Sequence, residues 1–424
     1  MRAVPETPDS TPVDTAFNPF DATQSRDAWD RLRTMRAVGP VVEIANGMRY
    51  VTRYAEARAV LRDTSRFSNA AGMKAPGVVI PPEDRLLGEL DPPRHTAVRR
   101  VIVTALTPKV VHAAEPFMRE TAAALLRDLP AGGCDLVTTY TTVLPNRITV
   151  HLLGFDPADA DQLAGWAKGL MESTFPALNR TERGDGFAGA FPEFAAYIDA
   201  RIAECAEQLD AGVERDDVLA RLLRLEVDDE PLPPVQLRAL VRNLITGGLT
   251  TTSQLLGNLL HQVLTDPDLD AALRADATAV ATAIEESLRL HPPILFLARG
   301  ITEDTEVAQC PLHKGGRLII GAASANRDER EFEDPDAFRI DRENADHHLT
   351  FGYGPHVCPG ATLARVVTRI ALDAFWARFT PGTILLVPGF RFEQVPTYFE
   401  HGPRSLPVRY PDERQRLHTD GFIS

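Results

Sequence analysis

Phe351-Gly352-Tyr353-Gly354-Pro355-His356-Val357-Cys358-Pro359-Gly360 is the stretch on which the reading of this chain turns. Two glycines and a proline ahead of the cysteine predict a tight hairpin-like loop, because only glycine takes a positive φ at no steric cost. Gly360 then admits the chain to a helix, Ala361 to Phe379, with Leu363, Val366, Val367, Ile370 and Ala374 at helical spacing. A thiolate near a helix N-terminus, with loop N–H groups turned towards it, is stabilised as an anion and becomes a good soft ligand. Taken alone, a cysteine beside a Gly-rich turn reads as a small buried hydrophobe. The complete pattern, followed by Ala361-Thr362-Leu363-Ala364-Arg365, is far more specific than any one of its residues.

Composition narrows the surroundings of this loop. The chain has 424 residues, 44% of them hydrophobic, enough to bury a large core. Its formal net charge of −14 argues against nucleic acid and against an anionic membrane surface as partners. Cys134, Cys205, Cys310 and Cys358 share no metal-ligand spacing, which predicts neither a disulfide scaffold nor a zinc site and fits a reducing cytoplasm. No internal repeat is visible, no apolar run reaches membrane-spanning length, and the N-terminus lacks the apolar core of a signal peptide. Residues 1–18 read as an extended or disordered arm.

Further features line up along the chain. Val41–Ile44 and Met48–Arg53 read as a hairpin turning at Asn46-Gly47. Residues 70–90 read as a long loop and Glu172 to Phe187 as a mobile lid. Asp91-Pro92-Pro93-Arg94-His95 opens a helix on which His95 and Arg99 share one face. That face is either a solvated basic surface or a seat for a carboxylate, which arginine meets with a planar fork.

A long helix from Pro234 to about Thr265 carries Ile245-Thr246-Gly247-Gly248-Leu249-Thr250-Thr251-Thr252. Each glycine costs about 1 kcal/mol against alanine there. The pair either lets another helix approach or marks a helix locally opened beside a ligand, with freed carbonyls and a threonine hydroxyl. Glu286 and Arg289 form an i, i+3 pair, trivial in isolation. Ile294 to Leu297 read as a strand with Arg299 at its end, Asp304–Cys310 as a short strand, and His347-His348 as a polar loop.

These elements, in this order, resemble the cytochrome P450 family over nearly the whole chain, from Asn18 to Tyr410. The resemblance implies a mainly α fold with small β-sheets (α+β), a single domain over 19–424, enclosing haem b between the long central helix and the helix after Cys358. It assigns Cys358 as the iron ligand, within a loop that includes Phe351, Gly352 and Gly360. It implies that His95, Arg99, Arg299 and His356 hold the haem propionates and that Gly248 lies against the cofactor. Thr251 matches the proton-relay threonine, with Thr250 where the family usually has Asp or Glu. Asn243, Thr246, Gly247, Leu295, Phe296, Leu297 and Phe399 would line the substrate pocket. Glu286 and Arg289 would form a buried structural pair, its third basic member being Arg339 or Arg342 because Ala337 stands where the family often has arginine.

The activity implied is insertion of one oxygen atom from O2 into an apolar or amphipathic small molecule. Electrons would come from a separate ferredoxin and ferredoxin reductase, since no reductase motif is fused to the chain. A basic patch of Arg100, Lys109, Arg365 and Arg369 would steer that carrier, and a cytoplasmic monomer is expected. Peroxide-driven or other non-hydroxylating oxidation is the alternative that Thr250 raises. A haem sensor without enzymatic activity is a third.

Overall fold

A computed structural model of the chain describes residues 13–14, 16–25, 28–72, 85–177, 186–227 and 229–411. Much of the expected 70–90 loop, the middle of the expected Glu172–Phe187 lid and most of the N-terminal arm lie outside the described residues. The architecture is mainly α with small sheets. The Pro234–Thr265 helix runs through the middle of the main core. Leu240, Val241, Leu255, Leu256, Leu259 and Leu260 bury almost completely, on more than one face, which is what a helix surrounded by others requires. Around it stand the helices Val143–Leu153, Pro192–Asp210, Ala277–Leu290 and Ala361–Arg378.

The main sheet has six strands in the order Val13–Asp14, Val41–Ile44, Arg49–Val51, Arg317–Ile320, Leu297–Ile301, Phe67–Ser68. The hairpin at its heart turns where expected: Asn46 and Gly47 have φ of 60° and 68°, so both central residues are left-handed. Leu318, Ile319 and Ile320 pair in parallel with Arg49, Tyr50 and Val51, and antiparallel with Arg299, Ala298 and Leu297.

Several expectations change. The central helix continues unbroken through Gly247-Gly248, so the glycines remove side-chain bulk and leave the backbone ladder intact. Arg299 sits inside the strand Leu297–Ile301 instead of ending one, because its neighbours extend the pairing to Arg317. The Asp304–Cys310 stretch is a hairpin, Thr305–Val307 against Cys310–Leu312, turning through left-handed Ala308 and Gln309. Residues Val137–Thr141 wind as a π-helical turn. His347 pairs with Glu331 and His348 with Glu285, as befits a polar loop. Among the described residues all four cysteines are free, no three or more His, Cys, Asp or Glu side chains cluster as a metal site, and no helix is long and apolar enough to cross a membrane.

The turn near the C-terminus docks beneath this sheet. His401 is buried, its ring 5.3 Å from Trp29 and 5.7 Å from His291. Burial pushes its pKa from 6.5 to about 3, with Arg327 and His261 adding to the effect. The unfolded chain therefore binds a proton near pH 6.5 that the folded chain refuses until about pH 3. Stability is full above that range and falls as the pH drops through it, by about 1.4 kcal/mol per pH unit. His401→Phe should flatten the acid limb of a urea-midpoint-against-pH curve by that amount; an unchanged slope would show that His401 does not titrate as described.

Candidate active site

The cysteine loop is fixed by its own backbone. The Cys358 N–H donates to the Phe351 carbonyl at 2.8 Å, closing the loop across Gly352 and Gly354, whose φ values are 74° and 72°. A side chain at Gly354 would meet the backbone of Arg62 at 3.1 Å, so glycine is needed there for space as well as for sign. Gly360 lets the chain turn into the Ala361–Arg378 helix beside the sulfur. Cys358 is exposed, yet enough protein surrounds it for burial to push its thiol up. The N–H groups of Gly360 and Ala361 and the charges of Arg99 and Arg365 oppose that. These are the groups that would stabilise a thiolate once a cation is bound to it.

Next to the cysteine, four basic groups converge. The rings of His95 and His356 lie 3.7 Å apart, tilted by 33°. None of their four ring nitrogens, all buried, has a hydrogen-bond partner among the described residues, nor has Nε of Arg299. Arg299 gives Nη1 to the carbonyl of Ala298 at 2.9 Å. Burial lowers His95 to about 4, with Arg99 adding to it and Asp91 opposing. Burial lowers His356 to about 3, helped by His95, Arg299 and Arg99. Arg299 falls to about 10 for the same first reason. Buried donors without acceptors are costly and rare in folded proteins, and a cofactor carrying carboxylates supplies what these groups lack. The residues present therefore fit the propionates that the resemblance implies.

The remaining site residues implied by the resemblance sit on the central helix. Thr251 Oγ1 donates to the Gly247 carbonyl at 2.7 Å, which places both residues on one stripe. Thr250 Oγ1 is buried and has no partner among the described residues. One turn before Gly247, Asn243 Oδ1 accepts the N–H of Leu87 at 3.0 Å. Its amide nitrogen is thereby turned towards Gly247, 3.5 Å from where a Cβ would stand. Thr246 spends its hydroxyl on the Arg242 carbonyl at 2.9 Å. Gly248 lies on the far side, 3.2 Å from the Thr149 hydroxyl by the same measure, so the helix Val143–Leu153 is its neighbour. Leu295, Phe296 and Phe399 are buried in a core cluster with Phe17, Leu32 and Tyr50. The Phe296 ring stands edge-on to Phe20 at 5.4 Å, so it is a core residue of that cluster. Leu297 is half-buried against a different cluster.

Behind the cysteine loop two adjacent carboxylates do different jobs. Glu286 accepts Arg289 Nε and Nη2 at 2.6 and 2.9 Å and pairs with Arg342 Nε at 2.8 Å. Arg342 is thus the third basic member; Arg339 contributes only its backbone N–H, and its side chain faces Glu333 and Asp341. Glu285 takes Arg365 in a fork at 2.6 and 2.7 Å and His348 at 3.1 Å. Arg365 in turn lies 4.7 Å over the Phe351 ring, at the start of the cysteine loop. These contacts change the expected basic patch. Arg365 is neutralised by Glu285 and Arg369 by Asp373 at 3.1 Å, leaving Arg100 and Lys109 exposed. Glu285, Asn243 and His348 are the functional neighbours that sequence reasoning missed or gave less to do. Nothing in their local spacing shows partners so distant in the chain.

The profile described as Cytochrome P450 matches residues 170–384. The chain is 34% identical to erythromycin C-12 hydroxylase of Saccharopolyspora erythraea over 89% of its own length and 93% of that protein's. It is 32% identical to cyclomarin C epoxidase of Salinispora arenicola, covering 92% and 97%. The structure of a P450 EryK mutant in complex with erythromycin B superposes with a TM-score of 0.81 at 32% identity, over 93% of this chain and 99% of that one. With the loop, the fold and these relatives in agreement, the chain belongs to the bacterial cytochrome P450 family of haem-dependent monooxygenases.

Proposed function

We propose that this chain inserts one oxygen atom from O2 into an apolar or amphipathic compound of specialised metabolism. In balance, a C–H bond, O2, two electrons and two protons give an alcohol and water; epoxidation of an alkene has the same stoichiometry. A separate ferredoxin and its reductase would supply the electrons singly, meeting the cysteine side of the molecule near exposed Arg100 and Lys109. The observation that carries the reading is the convergence of Cys358 with His95, Arg99, Arg299 and His356. Cys358 would ligate the iron of haem b and the four basic residues would hold its propionates, and the haem so held supplies the redox chemistry of O2. Relatives named for erythromycin and cyclomarin C support a natural product of similar complexity as substrate. Four free thiols favour a reducing compartment.

The chain's own part is to shape the pocket and to handle protons. Gly247 leaves room beside Asn243, whose free amide hydrogens can mark one oxygen of a substrate. Thr251 Oγ1 can donate one hydrogen bond and accept another, which is what passing a proton towards reacting oxygen requires. Thr251→Ala should therefore lower product per NAD(P)H by at least about fivefold and raise hydrogen peroxide release. The measurement is coupling with a compound that produces a substrate-type spin shift; full coupling would remove Thr251 from the path.

One observation favours a second reading. The whole central helix carries no Asp or Glu, and Thr250 offers only a buried hydroxyl. That suits peroxide-driven or non-hydroxylating oxidation. Turnover with hydrogen peroxide alone, compared with turnover on NAD(P)H and redox partners, decides between the two.

A further inference from the structure

The Ala277–Leu290 helix carries two adjacent carboxylates, and the pairing that holds the meander accounts only for Glu286. Glu285 is largely buried, and both of its oxygens are engaged. Oε1 accepts Arg365 Nε at 2.6 Å; Oε2 accepts Arg365 Nη2 at 2.7 Å and meets His348 Nε2 at 3.1 Å. The Thr350 N–H donates to His348 Nδ1 at 3.2 Å, so the ring's proton stands on Nε2 and is given to Glu285. Burial would raise the Glu285 carboxyl, but Arg365 and His348 outweigh it and hold it down at about 2. A full negative charge therefore stands behind the cysteine loop at neutral pH.

Arg365 links that charge to the sulfur. Its guanidinium lies 4.7 Å over the Phe351 ring. Burial works against the Arg365 cation, and the hydrogen bonds and charge of Glu285 outweigh it, with help from Asp346 and Cys358. In return Arg365, with Arg99 and two backbone N–H groups, opposes the burial that pushes the Cys358 thiol up. The loop itself has other supports. Phe351 accepts the Cys358 N–H, and Thr350 gives its hydroxyl to the Leu288 carbonyl at 2.6 Å and accepts Asn326 Nδ2 at 2.9 Å. Those neutral bonds fix the backbone. The ion pair adds what they cannot: a cation near the sulfur whose charge is cancelled from behind.

We propose that Glu285 is a positioning residue: by holding and neutralising Arg365 it keeps the net charge behind Cys358 near zero, and so sets how readily iron bound to that sulfur accepts an electron. The proposal rests on the monooxygenase reading above. One electron from the ferredoxin adds one negative charge beside the sulfur, and no proton is consumed. A nearby carboxylate disfavours that step and an unpaired guanidinium favours it. Deleting the two charges of the pair one at a time should therefore move the reduction equilibrium in opposite directions.

Anaerobic titration of the substrate-free holoenzyme with dithionite and mediator dyes measures that equilibrium. Glu285→Gln keeps the size and removes the charge, and should raise the constant for one-electron reduction about tenfold, or about 59 mV. Glu285→Asp keeps the charge and should stay within about twofold of the unaltered protein. Arg365→Met should lower the constant about tenfold. Loss of a mechanical brace would neither give the two partners opposite signs nor spare the aspartate. A rise below about threefold in Glu285→Gln, a rise shared by Glu285→Asp, or a rise in Arg365→Met overturns the proposal. Should Glu285→Gln fail to retain haem, Arg365→Met decides alone: a fall supports the proposal and no fall overturns it. The reduced carbon monoxide spectrum of the unaltered protein tests the haem-thiolate reading separately, so the two failures are told apart.

Discussion

Cys358→Ser should abolish monooxygenase turnover, by about a thousandfold or more, and remove the thiolate signature of the reduced carbon monoxide complex. The loop that presents Cys358 depends on the backbone bond to Phe351 and on left-handed Gly352 and Gly354, none of which involves the sulfur. Serine should therefore leave the loop in place. Arg99, Arg365 and the N–H groups of Gly360 and Ala361 would still surround position 358. What serine cannot do is carry the negative charge, because a hydroxyl does not ionise where a thiol bound to iron does. Retention of the thiolate-type spectrum in this variant would move the axial ligand elsewhere. A normal haem content with an altered spectrum would separate loss of the ligand from loss of the cradle.

Arg289→Lys should cost about 3–5 kcal/mol of stability, the range for breaking one side of a buried ion pair. Arg289 and Glu286 are both wholly buried. The guanidinium uses Nε and Nη2 on Glu286, and Nη1 and Nη2 on the carbonyls of Asn326, Pro335 and Ala337 at 3.0, 2.6 and 2.9 Å. Lysine offers three donors from one atom and cannot span a carboxylate and three carbonyls together. Glu286 keeps Arg342, so the loss should be smaller than for removing the carboxylate itself. Urea unfolding of the haem-free protein measures the change without interference from cofactor affinity. A loss below about 1 kcal/mol would place Arg289 in a solvated site.

The cysteine loop was legible because its constraints are local. Glycine sign, proline and the helix start lie within ten residues. Glu286 and Arg289 were legible for the same reason, being one turn apart. Arg342 was narrowed to two candidates only, since the bends of the meander that bring it back to Glu286 leave no periodic trace. The basic patch was misread because Glu285, 80 positions from Arg365, cancels a charge that sequence shows as free. The resemblance implied a pocket role for Phe296, whereas its ring meets Phe20, far away in the chain. The central glycines left two readings open, an approaching helix or an opened one, because propensity sees their cost and not the packing against Thr149 that decides it at Gly248.

Glu285 and Glu286 sit side by side on one helix, yet each grips a different piece of chain. Glu286 secures the meander through Arg289 and Arg342, and Glu285 secures the cysteine loop through Arg365 stacked on Phe351. Among the described residues no hydrogen bond or ion pair of either clamp reaches Asn243, Gly247, Thr250 or Thr251, which sit on the central helix. The chain is in this sense modular: the part that would set the electronic character of the iron is bolted to the protein's rear. The substrate face can then drift through sequence space, acquiring new shapes and new chemistry of recognition, without retuning the sulfur.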